Sequence, residues 1–157
     1  MEQTVHGHDL AGAGKRSDGV LKTAGIVSSL ALVEIKTPGA KLLDPDEYRR
    51  DCWRASRELG GGIAQSQKTA QKTVENIALS PVLQAVDGDG APTGEMIFSY
   101  QPKSYLIIGT LAEFRTQHGV HREKFASFEL LRRHTAQPEI ITFDELLERA
   151  RFIVSKA

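Results

Sequence analysis

Leu30-Ala31-Leu32-Val33-Glu34-Ile35-Lys36, followed by Thr37-Pro38-Gly39, is the stretch on which the fold turns. Apolar residues fall on both alternations of Leu30–Ile35, so a strand here is covered on both faces and lies inside a sheet. Thr37-Pro38-Gly39 supplies the turn chemistry that ends it. Glu34 and Lys36 interrupt the apolar run at its far end. Side chains alternate along a strand, so these two point to the same face, two residues apart.

Working toward the N-terminus, Asp18-Gly-Val-Leu-Lys-Thr23 reads as a shorter strand, and Ala24–Ser29 as its connection to the first. If the two strands form an antiparallel hairpin turning near Ile26-Val27, paired positions sum to about 53. Asp18 then lies opposite the region from Glu34 to Lys36, with the register uncertain by a residue or two. Residues 1–16, MEQTVHGHDLAGAGKR, carry neither periodicity and read as an irregular, Gly-rich arm preceding a single domain over 17–157.

Toward the C-terminus, a helical block is expected after Pro45, running through EYRRDCWRASRELGGGIAQSQKTAQKTVENIA, with Ser56 able to cap a helix. Gly60-Gly61-Gly62 costs roughly 1 kcal/mol per residue inside a helix. It marks either a break or a place where the helix approaches a sheet or ligand closely. Residues 87–94, DGDGAPTG, are a turn or loop beside a possible strand MIFSY. SYLIIGT is an apolar run bounded by Pro102 and Gly109. HREKFASFELLRRH is an amphipathic helix with Phe125, Phe128, Leu131 and Leu130 toward one side. EIITF is a strand, and Asp144 is placed to cap the helix DELLERARFIV. Strand, strand, long helix, strand, helix, strand, helix is an α/β order with a mixed sheet flanked by helices.

Composition agrees with a folded domain and excludes several classes. The 157 residues are 40% hydrophobic and 25% charged, with twenty basic residues against twenty acidic ones. A neutral total argues against coating nucleic acid by bulk charge but leaves room for a local basic groove. Cys52, the only cysteine, has no partner for an internal disulfide, which suits a reducing compartment. No stretch has the character of a signal peptide or a membrane span, so a cytoplasmic location away from membranes is expected.

Two carboxylates set side by side repel unless a cation lies between them. A hard divalent ion such as Mg²⁺ resolves this with few protein oxygens, sharing its remaining positions with phosphate and water. Such an ion polarises a phosphodiester and acidifies a bound water. A lysine beside it can orient that water or neutralise charge on the scissile phosphate. Asp18, Glu34 and Lys36 meet those requirements, although an acid and a base two apart on a strand are ordinarily an ion pair at a sheet end.

A longer pattern adds to this. GKRSDGVLKT, ALVEIKTPGAKLL and EYRRDCWRASRELGGGIAQSQ, in that order, resemble the core of PD-(D/E)XK nucleases. More narrowly they resemble the nuclease domain of Shedu-type bacterial anti-phage defence proteins. The similar features are the Asp strand, the V-E-I-K strand with its Pro, and Tyr48-Arg49, Trp53, Ser56, Leu59 and Gln65. SYLIIGT, FASFELLRR and EIITFDELLER resemble the closing strand, helix, strand and helix, so the likeness spans roughly 15–155.

The resemblance implies a restriction-endonuclease-like core and a metal-dependent DNA endonuclease using Mg²⁺ or Mn²⁺. It implies metal-binding acids at Asp18 and Glu34, a catalytic lysine at Lys36, and a supporting glutamine at Gln65, with Gln67 if the register slips. DNA is the implied partner, and assembly into homo-oligomers is a family habit. The alternative is a weak or inactive nuclease-fold module that binds DNA or partner subunits. Domains of this type usually begin with a helix bearing another acid, and residues 1–16 do not read as one, which fits a shortened homologue, a C-terminal piece or loss of that element.

Other residues have plainer readings. Arg49, Arg50, Arg54 and Arg57 are a solvated face balanced by Asp46, Glu47, Asp51 and Glu58, or a phosphate-contacting patch in which Arg57 and Arg54, with Lys36, touch DNA. His6, His8 and Asp9 form a weak metal motif. His118, His121 and His134 are expected at the surface. Cys52 reads as a small buried hydrophobe, and Tyr48 and Trp53 as packing residues. Glu113 and Glu129 are further acids that spacing does not select.

Overall fold

The computed structural model describes residues 18–22, 28–77, 82–86, 89 and 91–156. The arm at 1–16, with His6, His8 and Asp9, lies outside the described residues. Strand β1 (Gly19–Lys22) pairs antiparallel with β2 (Ser28–Ile35), Gly19 opposite Val33 and Val20 opposite Leu32. Paired positions therefore sum to 52, one residue from the expected hairpin. Every side chain from Leu30 to Glu34 is buried, as the apolar pattern on both faces requires.

On its other side β2 runs parallel to the long strand β4 (Pro92–Ile107), with Glu34 opposite Leu106 and Ile35 opposite Ile107. Beyond β4 lie β3 (Val82–Val86), antiparallel to its first half, and β7 (Glu139–Ile141), parallel to its last three residues. The sheet order is β1-β2-β4-β3, with β7 also on β4. A two-stranded ribbon, β5 (Arg115–Thr116) and β6 (Gly119–Val120), stands apart. The result is an α/β architecture with a mixed sheet flanked by helices α1 (Arg57–Ile77), α2 (Arg122–His134) and α3 (Phe143–Lys156). The larger core cluster joins Leu42, Leu43, Leu59, Leu106, Ile108, Phe114, Phe128 and Ile140.

The three glycines are not a helix break: α1 runs unbroken through them. A Cβ on Gly62 would lie 3.0 Å from both Leu106 Cδ atoms, so the missing side chain lets α1 press onto β4. Gly60 and Gly61 face open space. Ser56 caps α1 as expected, its hydroxyl accepting from the Leu59 N–H at 3.0 Å.

Several expectations are corrected. Residues 45–55 are not helical but a looped excursion, closed by bridges Leu43–Ala55 and Arg49–Cys52, with Asp51 at φ 58°. Its conformation is held from outside, because the Trp53 N–H donates to the Ser127 hydroxyl on α2. Within that loop Cys52 and Tyr48 are exposed rather than buried, while Trp53 packs against the core. Pro102 does not divide two strands. It lies inside β4, where the partner of β2 jumps from Phe98 (opposite Ser29) to Lys103 (opposite Ala31), an interruption that tolerates a residue without an N–H. Asp144 is not the cap of α3, since its carboxylate accepts from the Leu111 N–H. Glu145 does that work instead, accepting from both the N–H and the hydroxyl of Thr142. On α2, Phe128 is buried and Phe125 and Leu131 pack on the core, but Leu130 is exposed. No described helix is long and apolar enough to cross a membrane.

Candidate active site

Glu34 is the last buried residue of β2, 5% exposed, and Ile35 after it is already open to solvent. The chain then carries Lys36 out past the strand end, anchored by the Lys36 N–H donating to the Ile107 carbonyl at 2.8 Å. From there the Lys36 ammonium turns back to donate to Glu34 Oε1 at 2.8 Å and to Gln65 Oε1 at 3.1 Å. One residue of β2, Glu34, and one of α1, Gln65, thus meet around one cation just past the strand end. Asp18 stands just before β1, and its Oδ2 accepts from the Ile35 N–H at 2.8 Å, which fixes it beside the same strand end.

The Glu34 hydrogen bond is the largest influence on Lys36 and raises its pKa. Burial opposes it, and the fields of Glu34, Asp18 and Glu58 add to it, leaving the net above the ordinary lysine value. Lys36 is therefore an ammonium at neutral pH, a donor and a counter-charge rather than a base. Behind Glu34 a crevice with no room for a water is lined by Leu32, Val33, Ser66, Thr69 and Ser104. The Ser66 hydroxyl is buried there without a hydrogen-bond partner among the described residues.

The remaining sequence candidates divide. Gln67 is outside the cluster, its Nε2 donating to the Gln137 carbonyl at 2.8 Å, so Gln65 is the glutamine that reaches Lys36. Arg57 opens α1, is exposed, and forms no ion pair among the described residues. Arg54 is tied to Asp44 at 2.7 Å and lies over the Tyr48 ring. Glu113 is structural, its oxygens accepting from the N–H groups of Leu42 and Leu43. Glu129 is bound to Arg132 and Arg133. His118, His121 and His134 are exposed, as expected, and His121 caps α2.

Sequence reasoning gave Glu58 only a balancing charge on the arginine face, whereas its charge also acts on Lys36. The signal was present: it precedes Gln65 by seven residues, two helical turns on the same face.

The fold and this cluster define a class: a mixed-sheet α/β domain with a carboxylate, lysine and glutamine joined where its central strands end. Comparison with known proteins supplies the family. Residues 2–147 match the family described as Shedu protein SduA, C-terminal, and the chain belongs to it. The Shedu protein SduA of Bacillus cereus (strain B4264) is 31% identical over 126 residues, covering 78% of this chain and 30% of that protein. The chain thus spans less than a third of that relative's length.

Proposed function

We propose that this chain is a nuclease domain of the PD-(D/E)XK type that hydrolyses phosphodiester bonds in DNA with Mg²⁺ or Mn²⁺, serving anti-phage defence in bacteria. The observation that carries the reading is the joining of Glu34 and Gln65 through the Lys36 ammonium, with Asp18 held against the same strand end. The donor set fits a hard cation of the Mg²⁺ kind. Asp18 and Glu34 would hold it, and such an ion is commonly bound by one or two carboxylates with water and phosphate completing its shell. When bound it would activate a water and neutralise phosphate charge.

The chain's own groups do the rest. Lys36 presents a positive charge and N–H donors where negative charge grows on the phosphate, and Gln65 holds that ammonium in place. Arg57, exposed at the start of α1, is the side chain best disposed to take a DNA phosphate, with Arg54 in reserve once released from Asp44. A second reading, a weak or inactive module that binds DNA or partner subunits, is favoured by one observation. The Lys36 ammonium already takes Glu34 Oε1 at 2.8 Å, an oxygen that the nuclease reading assigns to the metal ion.

The test is incubation with linear and circular DNA in Mg²⁺, in Mn²⁺ and in chelator, beside the Glu34→Ala variant. Metal-dependent cutting lost in the variant supports the nuclease, and cut circles make it an endonuclease. DNA retained but uncut under every metal condition transfers the assignment to the binding module.

A further inference from the structure

Among the described residues the Ser66 hydroxyl is the one fully buried side-chain polar atom without a hydrogen bond, on a residue only 3% exposed. Such an atom destabilises the fold unless something offsets it. A serine on a helix ordinarily has an exit, because its hydroxyl can donate to the carbonyl four residues earlier. Thr73 does so on the same helix, to Thr69 at 2.9 Å, and Ser127 does so on α2, to Glu123 at 3.1 Å. Ser66 makes no such bond to Gly62. Nor can a water serve it, since the crevice it lines has no room for one.

The sheet beneath determines what that hydroxyl faces. Gly62 rests on Leu106, and Ser66 follows Gly62 by four residues, about one turn along the same face of α1. On the sheet, Leu106 is paired with Glu34 and Ser104 with Leu32, so these four share the face that α1 covers. Ser66 and Glu34 accordingly line the same crevice, with Ser104 and Thr69. Of the groups there, the Glu34 carboxylate is the strongest acceptor, and its Oε1 is taken by Lys36 from the other side.

We infer that Ser66 is a positioning residue for Glu34, its hydroxyl held for a carboxylate oxygen that becomes available when Glu34 gives up Lys36 for a divalent cation. The inference rests on Glu34 holding that ion, as proposed above. In the resting arrangement Lys36 neutralises Glu34 and the hydroxyl stays unbonded. With the cation bound, Glu34 keeps one oxygen outward and accepts from Ser66 on the inward one, so a bond from α1 replaces the bond from Lys36. The consequence is a pair of effects with opposite sign. Removing the hydroxyl relieves the resting fold and weakens the loaded one.

The test uses the full chain with Mn²⁺ as the probe, free ion being counted by electron paramagnetic resonance, and thermal melts in chelator. The parent should bind Mn²⁺ and Glu34→Ala should lose it, which secures the cation site itself. Ser66→Ala should then bind Mn²⁺ about tenfold more weakly or worse, yet melt in chelator at or above the parental temperature. A serine with a merely structural role would lower the melt as well. Ser104→Ala, which opens the same crevice by one oxygen, should bind as the parent does. Where Glu34→Ala has lost the ion, parental affinity in Ser66→Ala overturns the inference alone. So does a Ser66→Ala melt in chelator several degrees below the parent, because the hydroxyl would then be bonded in the resting fold. Equal loss of affinity in Ser66→Ala and Ser104→Ala would make the effect one of packing and overturn it too. A parent that binds no Mn²⁺, or binds it equally well as Glu34→Ala, overturns the cation site first and the role of Ser66 with it.

Discussion

Replacing Lys36 with Met keeps the length of the stem and removes the ammonium, so it isolates the charge at the centre of the cluster. Two hydrogen bonds are lost, to Glu34 at 2.8 Å and to Gln65 at 3.1 Å, and a carboxylate only 5% exposed is left without its cation. Stranding a fully buried charge costs about 3–5 kcal/mol. The Lys36 side chain is 24% exposed, so water reaches the vacated position and the cost falls to about 1–2 kcal/mol. In a domain of this size that lowers Tm by about 3–6 °C. Denaturant unfolding of Lys36→Met, Glu34→Gln and the double variant measures it, and the double variant should recover roughly 1 kcal/mol relative to the sum of the singles. The same preparations assayed on DNA should show Lys36→Met cutting about 100-fold more slowly or worse. Additive singles would mean that the pair is not coupled, and a Lys36→Met protein that cuts at the parental rate would remove Lys36 from the chemistry.

Other expectations follow from the packing and the charges. Gly62→Val drives two methyl groups into Leu106 and should cost about 1–3 kcal/mol, whereas Gly61→Ala, facing open space, should gain about 0.5–1 kcal/mol in thermal or denaturant melts. Ser56→Ala removes the cap of α1 and should cost about 1 kcal/mol by the same measurement. Burial alone would raise the pKa values of Glu129 and Glu145, but hydrogen bonds from Arg133 and Arg132 to the first, and from Arg132 and Thr142 to the second, outweigh it and hold both below the ordinary carboxylate value. Their stabilisation is therefore complete above about pH 4.5 and is lost as pH falls through the lowered values. Melts from pH 6 to 3 should show a shallower acid loss in Arg132→Leu than in the parent, and equal slopes would refute the linkage.

What the sequence disclosed and what it concealed divide by the range of the interaction. The buried strand at Leu30–Glu34, the hairpin register within one residue and the Ser56 cap are local, written in alternation or in a hydroxyl three residues from its partner. The loop at 45–55 was not legible, because its mixture of Arg, Glu and Trp suits a helix. What prevents one is the Ser127 hydroxyl holding the Trp53 N–H and the bridge from Leu43 to Ala55. Pro102 misled for a related reason: a proline interrupts a ladder, and only the partner strand reveals that the ladder resumes at Lys103. Cys52 followed the loop outward to solvent. In the candidate site, Glu34, Lys36 and Gln65 were each named in advance, but the choice of Gln65 over Gln67 required α1 in its place on the sheet.

That placement ties the site to a packing detail remote from any chemistry. Leu106 is the sheet partner of Glu34, and side chains at directly paired positions share a face. Gly62 rests on Leu106, so α1 covers the face from which Glu34 projects. Gln65 follows Gly62 by three residues, nearly one turn, and therefore emerges from α1 on about the same side. The height of the helix above the sheet is set by a contact in which a Cβ would stand 3.0 Å from both Leu106 methyl groups, tight enough that Leu106 would have to shift, and that height sets the 3.1 Å reach between Gln65 and Lys36. A helix raised by about 1 Å would take this bond outside hydrogen-bonding range while leaving Lys36 paired with Glu34, two residues before it in the chain. Close packing at Gly62 is thus the means by which a residue on one element is held to a cation on another.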